Sequence, residues 1–136
     1  MTTIPDLPVR VLTVKQPWAW AIIHSDPKKD IENRQWKPAQ PFFMLVHAGQ
    51  KTDFDAFRFM RRRGIKPPLT SQLTYGAIIG AVTVRLWSDY TRSPWADPDS
   101  KWHWLLEDAV AFAEPLHCRG QMGLFKPPVN WRSRIG

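Results

Sequence analysis

A chain of 136 residues, 43% hydrophobic and 23% charged, has the size of one domain and enough apolar side chain to bury a core, which excludes a disordered chain. Its formal charge of +7 attracts phosphate backbones, whose condensed counterions are released on binding, so nucleic acid is the leading partner class, although the same lysines and arginines also serve plain solubility. A single cysteine, Cys118, excludes an internal disulfide, no apolar run approaches the ~20 residues that span a bilayer, and the N-terminal MTTIPDLPVR lacks a charged-then-apolar leader pattern, so a reducing, cytoplasmic setting is expected.

Pro5 and Pro8 make residues 1–8 an extended, loosely held lead-in. Residues 9–14 alternate as a first strand, with Val9, Val11 and Thr13 on one side. Pro17 suits a first helical position, where its missing N–H is no loss, and predicts a helix to about His24 with Trp18, Ala19, Ile22 and Ile23 facing the core. Asp26-Pro27 breaks that helix, and residues 28–34 read as a turn entering a short extended piece. The dense apolar run 42–47, bounded by Pro41 and Gly49, reads as a buried strand.

The best-punctuated element follows: Thr52 as N-cap, Asp53 and Asp55 in the first turn, Arg61-Arg62-Arg63 in the last, and Gly64 just beyond. Phe54, Phe57 and Met60 are expected to pack inward, while Arg58, Arg61 and Arg62 at i, i+3 and i+4 form one basic patch. Residues 77–87 read as a long strand with Ile78, Val82, Val84 and Leu86 on one face, and Gly80 in its middle marks a bulge or a close backbone approach. Residues 88–100 are a surface loop. In residues 102–112, Trp102, Trp104 and Leu106 alternate with His103, Leu105 and Glu107, which favours a strand bent near Asp108 and ended by Glu114-Pro115. Short extended pieces at 116–118 and 120–125 precede a basic tail, 127–136, expected to pack loosely.

Five or six irregularly spaced strands with two or three helices do not make repeated βαβ units. The expected architecture is a single α+β domain over residues 1–136, a small, mostly antiparallel β-barrel with helices over its ends.

Several segments, taken together, resemble the ASCH-domain family, small PUA-like barrels. They are the strand-then-QPWA opening at 12–19, the Lys29-Asp30-Ile31-Glu32-Asn33-Arg34 turn followed by Trp36, LVHAG at 45–49, YGAIIGAV at 75–82, Trp104-Leu105-Leu106-Glu107, and the closing segment 120–125. The resemblance implies a cleft lined by the Lys-x-x-Glu-x-Arg turn. It also implies nucleic-acid binding, or hydrolysis of RNA or of a modified cytidine. The amidohydrolase branch carries a Thr nucleophile where this chain has Glu32, so the chain departs from that pattern at the reacting position.

Read on their own chemistry, the residues of the turn keep two meanings each. Lys29 is a phosphate anchor or, if burial and neighbouring Lys28 depress its pKa, a proton-transfer group. Glu32 and Arg34, two apart in an extended segment, point the same way and form a structural ion pair. Alternatively, Glu32 accepts from a base amine or acts as a general base while Arg34 meets phosphate. Lys15 and Gln16 contact backbone and base edge, or Gln16 satisfies the free N–H groups at the helix start. Trp18 reads as core, and Trp20, Trp36 and Trp95 as stacking candidates. His47, at a strand end, is an acid/base or a core hydrogen-bonder.

His24, His103, His117 and Cys118 have no metal-ligand spacing, and no cofactor is implied. The expected function is a nucleic-acid-binding module, RNA favoured over DNA, with Lys15, Gln16, Lys28, Arg34, Trp36, Arg58, Arg61 and Arg62 as contacts. The alternatives are a ribonuclease or nucleoside amidohydrolase using Lys29, Glu32 and His47, and a sensor of a nucleobase-sized ligand.

Overall fold

The computed structural model describes residues 3–135. Its strands are β1 (Val9–Gln16), β2 (Ile31–Arg34), β3 (Phe42–Thr52), β4 (Ala77–Ser88), β5 (Trp102–His117) and β6 (Leu124–Phe125). Helix α1 (Trp18–His24) follows β1, and helix α2 (Phe54–Arg62) follows β3. The six strands form one sheet in the order β2-β5-β4-β3-β1-β6, with β1 and β3 parallel and the other pairs antiparallel.

The expected α+β, mostly antiparallel architecture is present, but the barrel is not closed by backbone. β2, at one end of the sheet, is tied instead to β1, next to last at the other, through a side chain, Arg34 donating from Nη2 to the Thr13 carbonyl at 3.1 Å. The seam held this way is where the cleft described below opens.

β3 explains why the sheet has a core on both faces. Phe42, Met44, Val46 and Ala48 join the cluster under α1 with Leu12, Ile22, Ile23, Val82 and Trp104, while Phe43 and Leu45 join Val11, Ile78, Phe112 and Trp131 on the other side. A strand buried on both faces has no polar alternation to show, hence its continuous apolar run. The strand is longer than its apolar core suggests, reaching Thr52, so Asp53 and not Thr52 precedes α2.

In α2 the buried stripe is Ala56, Phe57 and Met60, and Phe54, expected inside, is 72% exposed. It sits on the first turn, beyond the part of the helix that meets Ile31, Ile65 and Trp95.

Gly80 accounts for the change of face in β4. Val46 pairs with Gly80 but His47 pairs with Ile78, so Ile79 is an extra residue, and Ile78 and Val82, expected on one face, go to opposite cores. A β-carbon on Gly80 would lie 2.4 Å from the Val110 carbonyl oxygen. Bulge and close approach therefore occur together.

β5 bends at Asp108, whose φ of +56° is a left-handed conformation that aspartate tolerates better than most residues. It does not end at Glu114-Pro115. Ala111 pairs with Gly80 and Leu116 with Ile78, so Pro115 lies in a bulged stretch where no ladder N–H is required of it. The C-terminal stretch differs from the loose tail expected. Trp131, in a 3-10 turn, is 5% exposed and packs against Phe43 with ring centroids 5.9 Å apart.

No helix of the described residues is long and apolar enough to cross a membrane.

Candidate nucleic-acid interface

A cleft of about 1160 Å³ runs along the seam between β1 and β2, walled by the 89–101 loop on one side and the 118–123 loop on the other. Lys29, Glu32 and Arg34 form its polar floor. Lys29 and Glu32 are each 5% exposed, whereas the Arg34 side chain is 28% exposed.

Glu32 lies between the two cations, with Oε1 3.3 Å from Lys29 Nζ and Oε2 2.8 Å from Arg34 Nε. Lys29 also donates to the Ile31 carbonyl oxygen, and its ammonium stands 5.8 Å from the Trp18 ring centroid. Burial pushes the Lys29 pKa below the ordinary lysine value; the Glu32 carboxylate opposes that shift and Arg34 adds to it. The local sequence causes this grouping. Residues 32 and 34 of a strand share a face, and the chain entering at Lys29 is fixed by its N–H bond to the Ala21 carbonyl in the last turn of α1.

The second polar group lies on the opposite wall. His47 is 2% exposed, with Nε2 2.8 Å from the Cys118 carbonyl oxygen and Nδ1 3.3 Å from Thr13 Oγ1. A carbonyl can only accept, so the proton sits on Nε2, and in the neutral ring the Thr13 hydroxyl donates to Nδ1. The imidazole thus ties the 118–123 loop to β1. Gly120 closes over the pair so tightly that a β-carbon there would lie 2.9 Å from His47 Cε1 and 3.0 Å from Thr13 Oγ1.

Asn33 performs the same service for the other wall. It donates from Nδ2 to the Trp95 carbonyl and accepts at Oδ1 from Asp97 N–H and His103 Nδ1.

Of the residues singled out in the sequence, Lys15, Lys29, Glu32, Arg34, Trp36 and His47 line this cleft. Trp36 leaves 38% of its surface exposed while packing edge-on against Trp104. Gln16 is turned inward, 1% exposed, accepting from Trp20 N–H and donating to the Thr74 carbonyl, so it fastens the start of α1. Lys28 is exposed and outside the cleft.

Arg58 and Arg62 line a neighbouring groove and Arg61 lines neither cavity. Trp18, read as core, lines the cleft and donates from its indole to Asp53 Oδ2 at 2.8 Å. Trp95 also lines it but is 5% exposed, packed against Trp18 and Phe59, and Trp20 stands away from it.

The sequence reading missed Thr13, Lys51, Arg63 and Arg119 as cleft residues. Only Arg63, beside the chosen arginines, carried a local signal. With these included, six cationic side chains (Lys15, Lys29, Arg34, Lys51, Arg63, Arg119) face three carboxylates (Glu32, Asp53, Asp97) in the lining. The cleft therefore carries a net positive charge and an aromatic face, and it can hold an anionic, ring-containing ligand.

No protein-family model matches the chain, and no curated protein matches it. Among solved structures it is similar to the crystal structure of a serine-to-alanine mutant of ZmASCH from Zymomonas mobilis. The identity is 15% over 93% of this chain and 92% of that one, with a TM-score of 0.54. At that identity the likeness is one of fold. It bears out, at the level of fold, the resemblance read from the sequence motifs.

Proposed function

We propose that the chain is a nucleic-acid-binding domain that takes a single-stranded segment, RNA in preference to DNA, into the cleft between β1 and β2. The observation that carries this reading is the cleft itself, a cavity of about 1160 Å³ with the Lys29–Glu32–Arg34 group on its floor and a rim of Lys15, Lys51, Arg63 and Arg119.

Rim cations meet phosphates, and the exposed face of Trp36 stacks on a base. Glu32 holds Arg34 at Nε and the Thr13 carbonyl holds it at Nη2, which leaves Nη1 to meet a phosphate oxygen. Single strands suit this arrangement because unstacked bases can enter a cavity, whereas paired ones cannot.

Filter binding of RNA and DNA oligonucleotides across a salt series tests it. Phosphate contacts from the four rim cations Lys15, Lys51, Arg63 and Arg119 predict a log K against log[salt] slope of roughly −3, from ~0.7 per neutralised phosphate. Trp36→Ala should weaken binding by ~1–3 kcal/mol, the worth of one stacked base. Binding indifferent to salt would remove the reading.

A second reading, hydrolysis of RNA or of a modified nucleoside, is favoured by one specific observation. The buried Lys29 amine, its pKa lowered by burial, lies against the Glu32 carboxylate within the same cleft. Such a pair can pass a proton. Turnover unchanged in both Lys29→Met and Glu32→Gln would dismiss it.

A further inference from the structure

We propose that the basic end of α2 and the groove beside it are a second phosphate-binding subsite, occupied by the continuation of the strand whose nucleotide sits in the cleft. This inference rests on the cleft reading above. The groove, about 540 Å³, shares Trp18, Asp53, Phe59 and Arg63 with the cleft. The two cavities are therefore adjacent, and the proposed strand passes from one to the other over these shared residues. Beyond them the groove is bounded by Arg58 and Arg62, both exposed.

Three observations separate this surface from an ordinary solvated helix end. Among the described residues, none of Arg58, Arg61, Arg62 and Arg63 has a carboxylate within 4.0 Å. The two carboxylates in the groove lining, Asp53 and Asp55, belong to the N-terminal end of α2, and Asp53 already accepts the Trp18 indole N–H.

Second, Arg58 repels Arg61 and Arg62 at i, i+3 and i+4, which weakens the helix. The helix macrodipole is already answered by a cation in the last turn and gives no reason for four. An anion bound between Arg58 and Arg62 offsets that repulsion.

Third, Arg63 is held in place before any ligand arrives. Its guanidinium carbon lies 3.4 Å from the Phe59 ring centroid and Nη1 donates to the Phe59 carbonyl at 3.1 Å. A guanidinium fixed in this way loses little freedom when a phosphate joins it, and its planar fork matches phosphate oxygens. Arg63 thus stands at the junction, with Arg58 and Arg62 one helical turn apart along the exit path.

The test compares a nucleoside 5′-monophosphate with an RNA octamer on wild-type protein and on Arg58→Gln/Arg62→Gln, with melting measured alongside. The wild type should bind the octamer more tightly than the mononucleotide. The variant should lose most of that gain, and its octamer salt slope should fall by about 1.4, two contacts at ~0.7 each. It should keep mononucleotide affinity within about twofold, since the substituted side chains lie outside the cleft, and should melt no lower than wild type.

Octamer affinity and slope equal to wild type would overturn the subsite. So would a parallel loss of mononucleotide binding, which would place the arginines' effect in the cleft. Wild-type protein that binds the octamer but not the mononucleotide overturns the cleft reading, and the groove then stands or falls on the octamer comparison. No octamer binding by the wild type overturns both.

Discussion

Replacing Glu32 with glutamine removes the one negative charge between two cations at the cleft floor without changing side-chain size. At the 3.3 Å separation of Lys29 Nζ and Glu32 Oε1, an effective dielectric of ~20 gives an attraction of about 5 kcal/mol, much of it offset by the cost of burying both groups. Breaking a buried pair by deleting one member leaves the other charge unanswered and costs ~3–5 kcal/mol. Arg34, 28% exposed, can recover water, and Lys29 can shed its proton, so the lower end, ~3 kcal/mol, is expected. With an unfolding entropy of ~2.1 cal/mol/K per residue, this lowers Tm by about 10 °C.

Thermal unfolding followed by circular dichroism at neutral pH reads the effect, and the double variant Lys29→Met/Glu32→Leu separates its cause. An apolar pair of similar size needs no counter-charge and should melt near wild type while losing the polar floor. A Glu32→Gln variant within about 3 °C of wild type, or a double variant as unstable as the single one, would refute the reasoning.

Because Lys29 is held below its ordinary pKa when folded, the unfolded chain binds the extra proton between that lowered value and about 10.4. The stability of wild type relative to Lys29→Met should therefore rise with pH through that window and stay flat below it; denaturation at stepped pH checks this, and a difference that shrinks with rising pH contradicts it. Gly80→Ala would place a β-carbon 2.4 Å from the Val110 carbonyl and 2.8 Å from Ile23 Cδ1, neither of which can move without disturbing the core. A loss of ~2–3 kcal/mol is expected, seen as a lower urea midpoint with unchanged m-value. Trp131→Ala empties a buried ring site beside Phe43 and should cost ~3–5 kcal/mol. Arg132→Gln next to it removes an exposed guanidinium 4.6 Å from the Trp131 ring centroid and should cost no more than ~0.5–1 kcal/mol.

The legible parts of this protein were those whose cause is local. The strand at Phe42 showed itself because a segment buried on both faces is apolar throughout, and α2 because charge and Gly64 punctuate a helix within one turn of its ends. The bend near Asp108 was expected within an alternating run, and the bulge or close approach at Gly80 from a glycine inside a strand. The polar floor was also local: Lys29, Glu32 and Arg34 lie within six residues, and strand geometry alone brings two of them to one face.

Other features depended on which segments meet. Whether Phe54 is covered, whether Trp20 faces the cleft and whether Pro115 ends a strand are settled by neighbours far along the chain, and nothing in the residue itself announces them. Gln16 was legible as to chemistry but not as to direction, because its partner, the Thr74 carbonyl, is 58 positions away.

Sequence by itself therefore determined a single α+β sheet protein with a basic excess and one compact group of titratable side chains, since hydrophobic period, turn residues and charge act over a few residues. Tertiary structure alone decided that the sheet stays open at the β1–β2 seam, where Arg34 reaches Thr13 across 21 positions. It also placed His47, Thr13 and the 118–123 loop opposite the Lys29 turn. The cleft exists because β2 and the part of β1 beyond its pairing with β6 approach without pairing, a meeting that no local signal in either strand announces.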